Sequence, residues 1–220
     1  MIAVIVAMEK ERIYITSELE NCVCEEYAGI KFFTGSYRGT DVVTAEAGIG
    51  KVAAAYTTAV TLMRYSPEAV INTGIAGGLG ILSRGDVVAV SEAWQHDFDL
   101  TAFGEAAGKY CGKTDVALTT AVLNAVNGAR TGVIATGDSF IADSVKARRI
   151  AETFGAVLCD MECAAIAQVC LSAGVPFAAI KVVSDGAEDG AEIGYEEFAD
   201  KACRINARAA LDAIAATRGI

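Results

Sequence analysis

The chain has 220 residues, enough for one domain with a large buried core. Hydrophobic residues make up 53% and charged residues 21%, which excludes a disordered chain. Lys and Arg number 18 against 28 Asp and Glu, a net charge of −10 that argues against general binding to nucleic acid or to an anionic membrane.

The apolar run IAVIVA (2–7) reads as a buried strand, and the chain then turns to Glu9 and Glu11. Acids in a first helical turn suit the helix dipole. The crevice beyond the carboxyl ends of strands in an α/β sheet is also where ligands bind. IKFFTGSY (30–37) and TDVVTAEA (40–47) follow as strands, with Arg38 and Gly39 between them at the spacing of a tight hairpin. GKVAAAYTTAVTLMRYS (50–66) has apolar residues three to four apart and stops before Pro67, as a helix does. Further strands are expected at 69–74, 86–94, 131–137, 156–161 and 177–184, and helices at 116–127, 143–154, 162–173 and 195–217. AVINTG (69–74) and FAAIKVVS (177–184) are apolar on both faces, which suits a central sheet covered by helices on both sides. With two prolines and no internal repeat, residues 1–220 are expected to form a single α/β domain around a mixed sheet. The acidic GAEDGAE (186–192) reads as a solvated loop.

Seven cysteines, none in a CxxC pair, and one histidine, His96, supply a zinc site poorly. Cys159, Cys163 and Cys170 lie in apolar runs, where the thiol behaves as a small hydrophobe. A reduced, cytoplasmic protein is expected, without signal peptide or membrane span. No metal or other cofactor is expected.

Several strand ends carry candidate chemistry. Gly48-Ile-Gly50-Lys51-Val52-Ala53 matches the loose dinucleotide pattern GxGxxA, yet it also suits a tight turn with close helix packing. It is no Walker A loop, because position 45 is Ala and Val52 follows the Lys. Thr73-Gly74-Ile75-Ala76-Gly77-Gly78 lets backbone approach a ligand closely. In Gly137-Asp138-Ser139-Phe140-Ile141 the Phe140 ring is either core or a stacking surface. Asp160-Met161-Glu162 and Ser184-Asp185 end two more buried strands on acids, which is costly unless they bind something. Together with Glu11 they suggest one pocket lined by carboxylates. His96, in WQHDFDLTAFG (94–104), reads as structural, and that loop as a partner contact.

Taken in order, AMEKE (7–11), TGSYRG (34–39), AGIGKVAAA (47–55), INTGIAGGL (71–79), GDVV (85–88), HDFDLTAFG (96–104), GVIATGDSFI (132–141), DMECAAIA (160–167), VPF (175–177) and VVSDGA (182–187) resemble the nucleoside phosphorylase and nucleosidase superfamily. Within it the chain is most similar to the bacterial 5′-methylthioadenosine/S-adenosylhomocysteine nucleosidases. The resemblance runs over nearly the whole length. It implies a three-layer α/β/α sandwich and hydrolysis of the N-glycosidic bond of an adenine thionucleoside. Glu11 would activate water and Asp185 would protonate adenine at N7, with Ser184 beside it. Met161 and Glu162 would hold the ribose, Phe140 would stack on adenine, and the Ile141 backbone would read its edge. Ala7, Met8, Ile49, Ala76 and Gly77 would line the pocket, with Tyr195 near the base. Phe103 would reach in from the neighbouring subunit of a homodimer. An Asp has an unperturbed pKa near ~3.9, so Asp185 needs burial or nearby negative charge to hold a proton at neutral pH.

Three positions depart from the pattern the resemblance implies: Ile75 stands where Ser is common in the family, Asp160 where Glu is expected, and Lys181 where Arg is expected. All three map near the ribose and water. Phosphorolysis is the main alternative, with Lys181 or Arg12 as the anion site, although Glu11 would repel phosphate there. Related nucleosidases acting on aminodeoxyfutalosine or 5′-deoxyadenosine, a catalytically silent nucleoside binder and, more distantly, a Rossmann dehydrogenase are the other readings.

Overall fold

A computed structural model of the chain describes residues 1–107, 111–188 and 190–217. The first half runs β1 (Ile2–Val6), α1 (Glu9–Thr16), β2 (Glu20–Tyr27), β3 (Ile30–Tyr37), β4 (Thr40–Glu46), α2 (Lys51–Tyr65) and β5 (Ala69–Gly78). The second half runs β6 (Val87–Gln95), a 3₁₀ turn (Thr101–Phe103), β7 (Cys111–Lys113), α3 (Val116–Ala125), β8 (Arg130–Thr136), α4 (Ser144–Phe154), β9 (Ala156–Asp160), α5 (Cys163–Ala173), β10 (Phe177–Asp185) and α6 (Ala191–Ala216).

The expected mixed sheet is present. β1 lies parallel between β4 and β5, and β5 pairs in parallel with β10. Beyond its contact with β1, the long β5 pairs antiparallel with β9 through Gly77 and Gly78. The path β5–β10–β6–β8–β9 thus returns to β5, while β1, β4, β3 and β2 extend from it as a flange. That return is absent from the sequence expectation, which ended the β5 strand at residue 74. At the hairpin, Arg38 and Gly39 both have positive φ (48° and 73°), the two-residue turn that matches strand twist.

Alternation along β1 feeds two cores. Ala3 and Ile5 pack with residues of α2 and α5, whereas Ile2, Val4 and Val6 pack with residues of α1, α3 and α6. This is the expected three-layer α/β/α arrangement. Two strands escaped the sequence reading. β2 is exposed over most of its length, so ENCVCEEY has no buried stripe, and β7 is only three residues long. The acidic segment 186–192 is not simply a solvated loop: Ala187 and Ala191 are buried, and α6 begins at Ala191. Its Asp189 lies outside the described residues, as does the Cys111 side chain. Among the described residues, no helix is long and apolar enough to cross a membrane.

Candidate active site

The site lies where β1, β5, β9 and β10 end. Glu11, in the first turn of α1, points back into the protein and is 2% exposed. Its Oε2 accepts the N–H groups of Ala7 (3.0 Å) and Met8 (2.9 Å), and its Oε1 accepts the N–H of Ile75 on β5 (3.0 Å). Gly74 makes this approach possible, because a β-carbon there would stand 2.6 Å from Oε1. Burial pushes the Glu11 carboxyl up, against the opposing pull of Lys181 and the three N–H donors.

Glu162 stands just ahead of α5. Its Oε1 accepts the N–H of Gly50 at 2.8 Å, and the adjacent Lys51 N–H goes to Asp138 Oδ1, also at 2.8 Å. The GIGKVA turn therefore presents the start of α2 to two carboxylates, a local use of helix-terminal N–H groups. Gly48 and Gly50 both have positive φ (84° and 98°). Burial, then the charge of Asp160, pushes Glu162 up to about 7, with Lys181 and the Gly50 N–H opposing.

Asp160 and Lys181 form a buried ion pair, Oδ2 to Nζ 2.9 Å, with side chains 2% and 3% exposed. Asp160 also accepts from the Thr136 hydroxyl (2.6 Å) and the Cys163 N–H (3.0 Å), so the carboxylate is well satisfied. Burial alone would lower the Lys181 pKa, but the surrounding charges of Asp160, Glu162 and Glu11 outweigh it and the ammonium is held.

Asp185, at the end of β10, is buried. Its Oδ1 accepts the Ala187 N–H at 2.9 Å, and its Oδ2 lies 2.8 Å from the Ser184 hydroxyl. That hydroxyl is also 3.2 Å from the Ala76 carbonyl. Above the acids, the Phe140 and Tyr195 rings meet edge to face at 5.8 Å. Tyr195 is held from below by Lys10, whose Nζ donates to its hydroxyl at 2.5 Å. A cavity of about 390 Å³ joins these groups.

A model of the phosphorylase superfamily matches residues 1–216. A 5′-methylthioadenosine/S-adenosylhomocysteine nucleosidase of Shewanella sediminis is 41% identical over 213 residues, covering 91% of this chain and 93% of that one. The crystal structure of the 5′-methylthioadenosine/S-adenosylhomocysteine nucleosidase of Neisseria meningitidis in complex with methylthio-immucillin-A superposes with a TM-score of 0.94 at 36% identity, covering 97% of each chain. The chain belongs to the 5′-methylthioadenosine/S-adenosylhomocysteine nucleosidase family. The futalosine hydrolase of Helicobacter pylori has the same fold (TM-score 0.92, 26% identity, 97% of each chain).

Set against this nucleosidase family, most of the expected site residues come together. Ala7, Met8, Glu11, Ile49, Ile75, Ala76, Gly77, Phe140, Asp160, Met161, Glu162, Ser184, Asp185 and Tyr195 all line the cavity. Ile141 lines a smaller pocket that adjoins it. Lys181 sits behind the wall, paired to Asp160. Phe103 lies in the 3₁₀ turn with its side chain 82% exposed, away from this chain's own cavity. The Phe140 ring, 48% exposed, is a cavity wall rather than core. His96 is outside the main cavity and packs so tightly on Gly137 that a β-carbon there would come within 2.4 Å of its ring. Arg12 is buried between Glu46 and Glu9, both at 3.0 Å, and stacks 3.9 Å from the Phe33 ring centroid. Sequence reasoning missed Cys159, Glu192 and Glu196, which also line the cavity. The two glutamates sat in or beside a stretch whose acidity pointed to solvent. Among the described residues, no group of His, Cys, Asp and Glu is arranged to hold a metal ion.

Proposed function

We propose that the protein hydrolyses the N-glycosidic bond of 5′-methylthioadenosine and S-adenosylhomocysteine, releasing adenine and the thioribose product. The observation that carries this reading is the placement of two buried acids, Glu11 and Asp185, on one cavity beside Glu162. Glu11 is the base that orients and deprotonates water. Its three N–H partners favour the ionised form, while its burial raises its basicity toward the range a base needs at neutral pH. Asp185 protonates N7, which turns adenine into a good leaving group. The Ser184 hydroxyl has one proton. The hydroxyl lies 2.8 Å from Asp185 Oδ2, to which it donates, and 3.2 Å from the Ala76 carbonyl, and this contact fixes the Asp185 carboxyl at the cavity.

Cleavage of this bond passes through an oxocarbenium-like sugar. Glu162 binds the ribose hydroxyls, and the cation forming beside it favours its ionised state. Met161 packs on the sugar, Phe140 stacks on adenine, and the Ile141 backbone reads the base edge. Met8 and Ile49 give the 5′ group an apolar channel, and Tyr195, whose ring meets Phe140 edge to face, stands near the base.

Water is favoured over phosphate as the nucleophile, because Lys181 and Arg12 are already paired with carboxylates. The protein is read as one domain that works in the cytoplasm as a homodimer. The six cysteines with described side chains are all free thiols, as suits a reducing compartment. A groove between α2 and α5 lined by Val52, Ala55, Ala165 and Val169, with Val52 82% exposed, supports self-association, and Phe103 would cap the partner's 5′ channel.

The test is release of adenine from 5′-methylthioadenosine with and without phosphate. Adenine plus free methylthioribose in the absence of phosphate supports the reading. A strict need for phosphate, with a sugar 1-phosphate product, overturns it. Light scattering of the purified protein tests the dimer.

A further inference from the structure

α6 buries a face made almost wholly of small and apolar residues, among them Ala202, Ala207, Ala210 and Ile214. One residue breaks it. Asn206 is 0% exposed, and its Oδ1 accepts both the Thr73 hydroxyl (2.8 Å) and the Gly74 N–H (3.2 Å). Its Nδ2 is buried with no partner among the described residues. A half-satisfied amide costs more than an apolar side chain at such a place, so packing alone does not account for it. What it holds is the stretch of β5 beside Glu11. Along one edge of β5 the ladder with β1 ends at Asn72 and pairing with β9 starts only at Gly77, while the other edge stays paired with β10 throughout. Within that gap Asn206 claims the Gly74 N–H and Glu11 claims the Ile75 N–H.

We propose that Asn206 is a positioning residue for Glu11: by fixing Thr73 and Gly74 from α6, it aims the Ile75 N–H at the carboxylate. This rests on the reading of Glu11 as the base. Asn206 touches neither the cavity nor Glu11 in this account and acts through the β5 backbone alone. The other titratable groups around Glu11 come from different elements: Lys181 on β10, Glu162 before α5 and Cys203 on α6. Of these, only Cys203 shares α6 with position 206.

The test uses Asn206→Leu, which keeps the branched outline and heavy-atom count and removes the acceptor, and Thr73→Val, which removes one of its two donors without touching α6. For each, kcat and KM on 5′-methylthioadenosine are measured across pH, together with amide hydrogen exchange of Ile75 in the free protein. Expected for Asn206→Leu is a fall in kcat of about tenfold, the effect of a net loss near one hydrogen bond. KM should change less. The acidic limb of the kcat profile should move to higher pH, because Glu11 loses a donor that favours its charge. Ile75 exchange should speed up. Thr73→Val should shift all of these the same way by less, and it decides the matter if Asn206→Leu does not fold. Wild-type kcat, limb and exchange rate in the folded variants would overturn the proposal, as would equal losses of kcat, KM and stability with the limb unmoved. Wild-type protein inactive on the nucleoside would instead count against the proposed function, and Ile75 exchange would still read the positioning.

Discussion

Glu162 makes folding stability depend on pH in a direction opposite to most paired carboxylates. Its carboxyl is pushed from an ordinary value of 4.5 up to about 7, first by burial and then by Asp160. The folded protein therefore keeps a proton that the unfolded chain has already released. Stability from this group is fully present below 4.5, declines as pH rises, and is lost above about 7. The span of roughly 2.5 pH units corresponds to about 3 kcal/mol at most. Glu162→Gln stays neutral throughout and removes the titration. Urea unfolding of both proteins from about pH 4.5 to about pH 7.5 reads the contribution of Glu162 and its charged neighbours as a difference. The wild type should lose about 2–3 kcal/mol relative to the variant across that range. A difference that is flat in pH, or that grows in favour of the wild type as pH rises, would refute the reasoning. The same proton bears on binding. A nucleoside mimic with a cationic sugar ring should bind more tightly as pH rises toward neutrality, because Glu162 must ionise to meet it.

Other substitutions test the remaining groups. Glu11→Gln places an amide against three N–H donors that it cannot all satisfy, and kcat should fall about 10²–10⁴-fold while adenine still binds, read by steady-state assay and calorimetry. If Asp185 protonates the base as proposed, Asp185→Asn should lower kcat on 5′-methylthioadenosine by a similar factor, whereas a nucleoside with a better leaving group should lose much less. Lys181→Met strands Asp160 as an unpaired buried charge and should cost about 3–5 kcal/mol in denaturant unfolding, much of it recovered in the double variant with Asp160→Leu.

The strands buried on both faces were legible because their residues leave no polar stripe, and the hairpin because Arg38-Gly39 is short enough to allow only a tight turn. The acids at the strand ends were legible for a related reason: a carboxylate closing an apolar run is expensive unless it has a task. What escaped were relations between distant segments. Nothing local in GIGKVA indicates that its Gly50 N–H will hold Glu162. Asn206, one amide in an alanine-rich helix, looks like a surface residue until α6 is laid on β5. Glu192 was read as solvated because its neighbours are charged, yet the buried Ala187 and Ala191 bring the start of α6 over the cavity. β2 was invisible because an exposed edge strand has no hydrophobic period to read.

The three departures from the family pattern reduce to two physical events. Ile75 contributes its backbone, not its side chain, to Glu11, and that side chain joins an apolar cluster with Val182, Ala199, Ala202 and Cys203. Loss of a hydroxyl there leaves the hold on Glu11 intact. Asp160 and Lys181 are partners, so a shorter acid and a different cation still close on each other at 2.9 Å. Both exchanges conserve charge, so the pair keeps the charge balance behind Glu11 and Glu162, and only a neutral replacement of one partner would strand a buried charge. The pairing also commits the ammonium. With Lys181 drawn to Asp160 behind the cavity wall and Arg12 held by Glu46 and Glu9, neither cation named as a phosphate site stands free to receive one. The contacts that satisfy the buried charges at these positions are the ones that commit Lys181 and Arg12 to carboxylates.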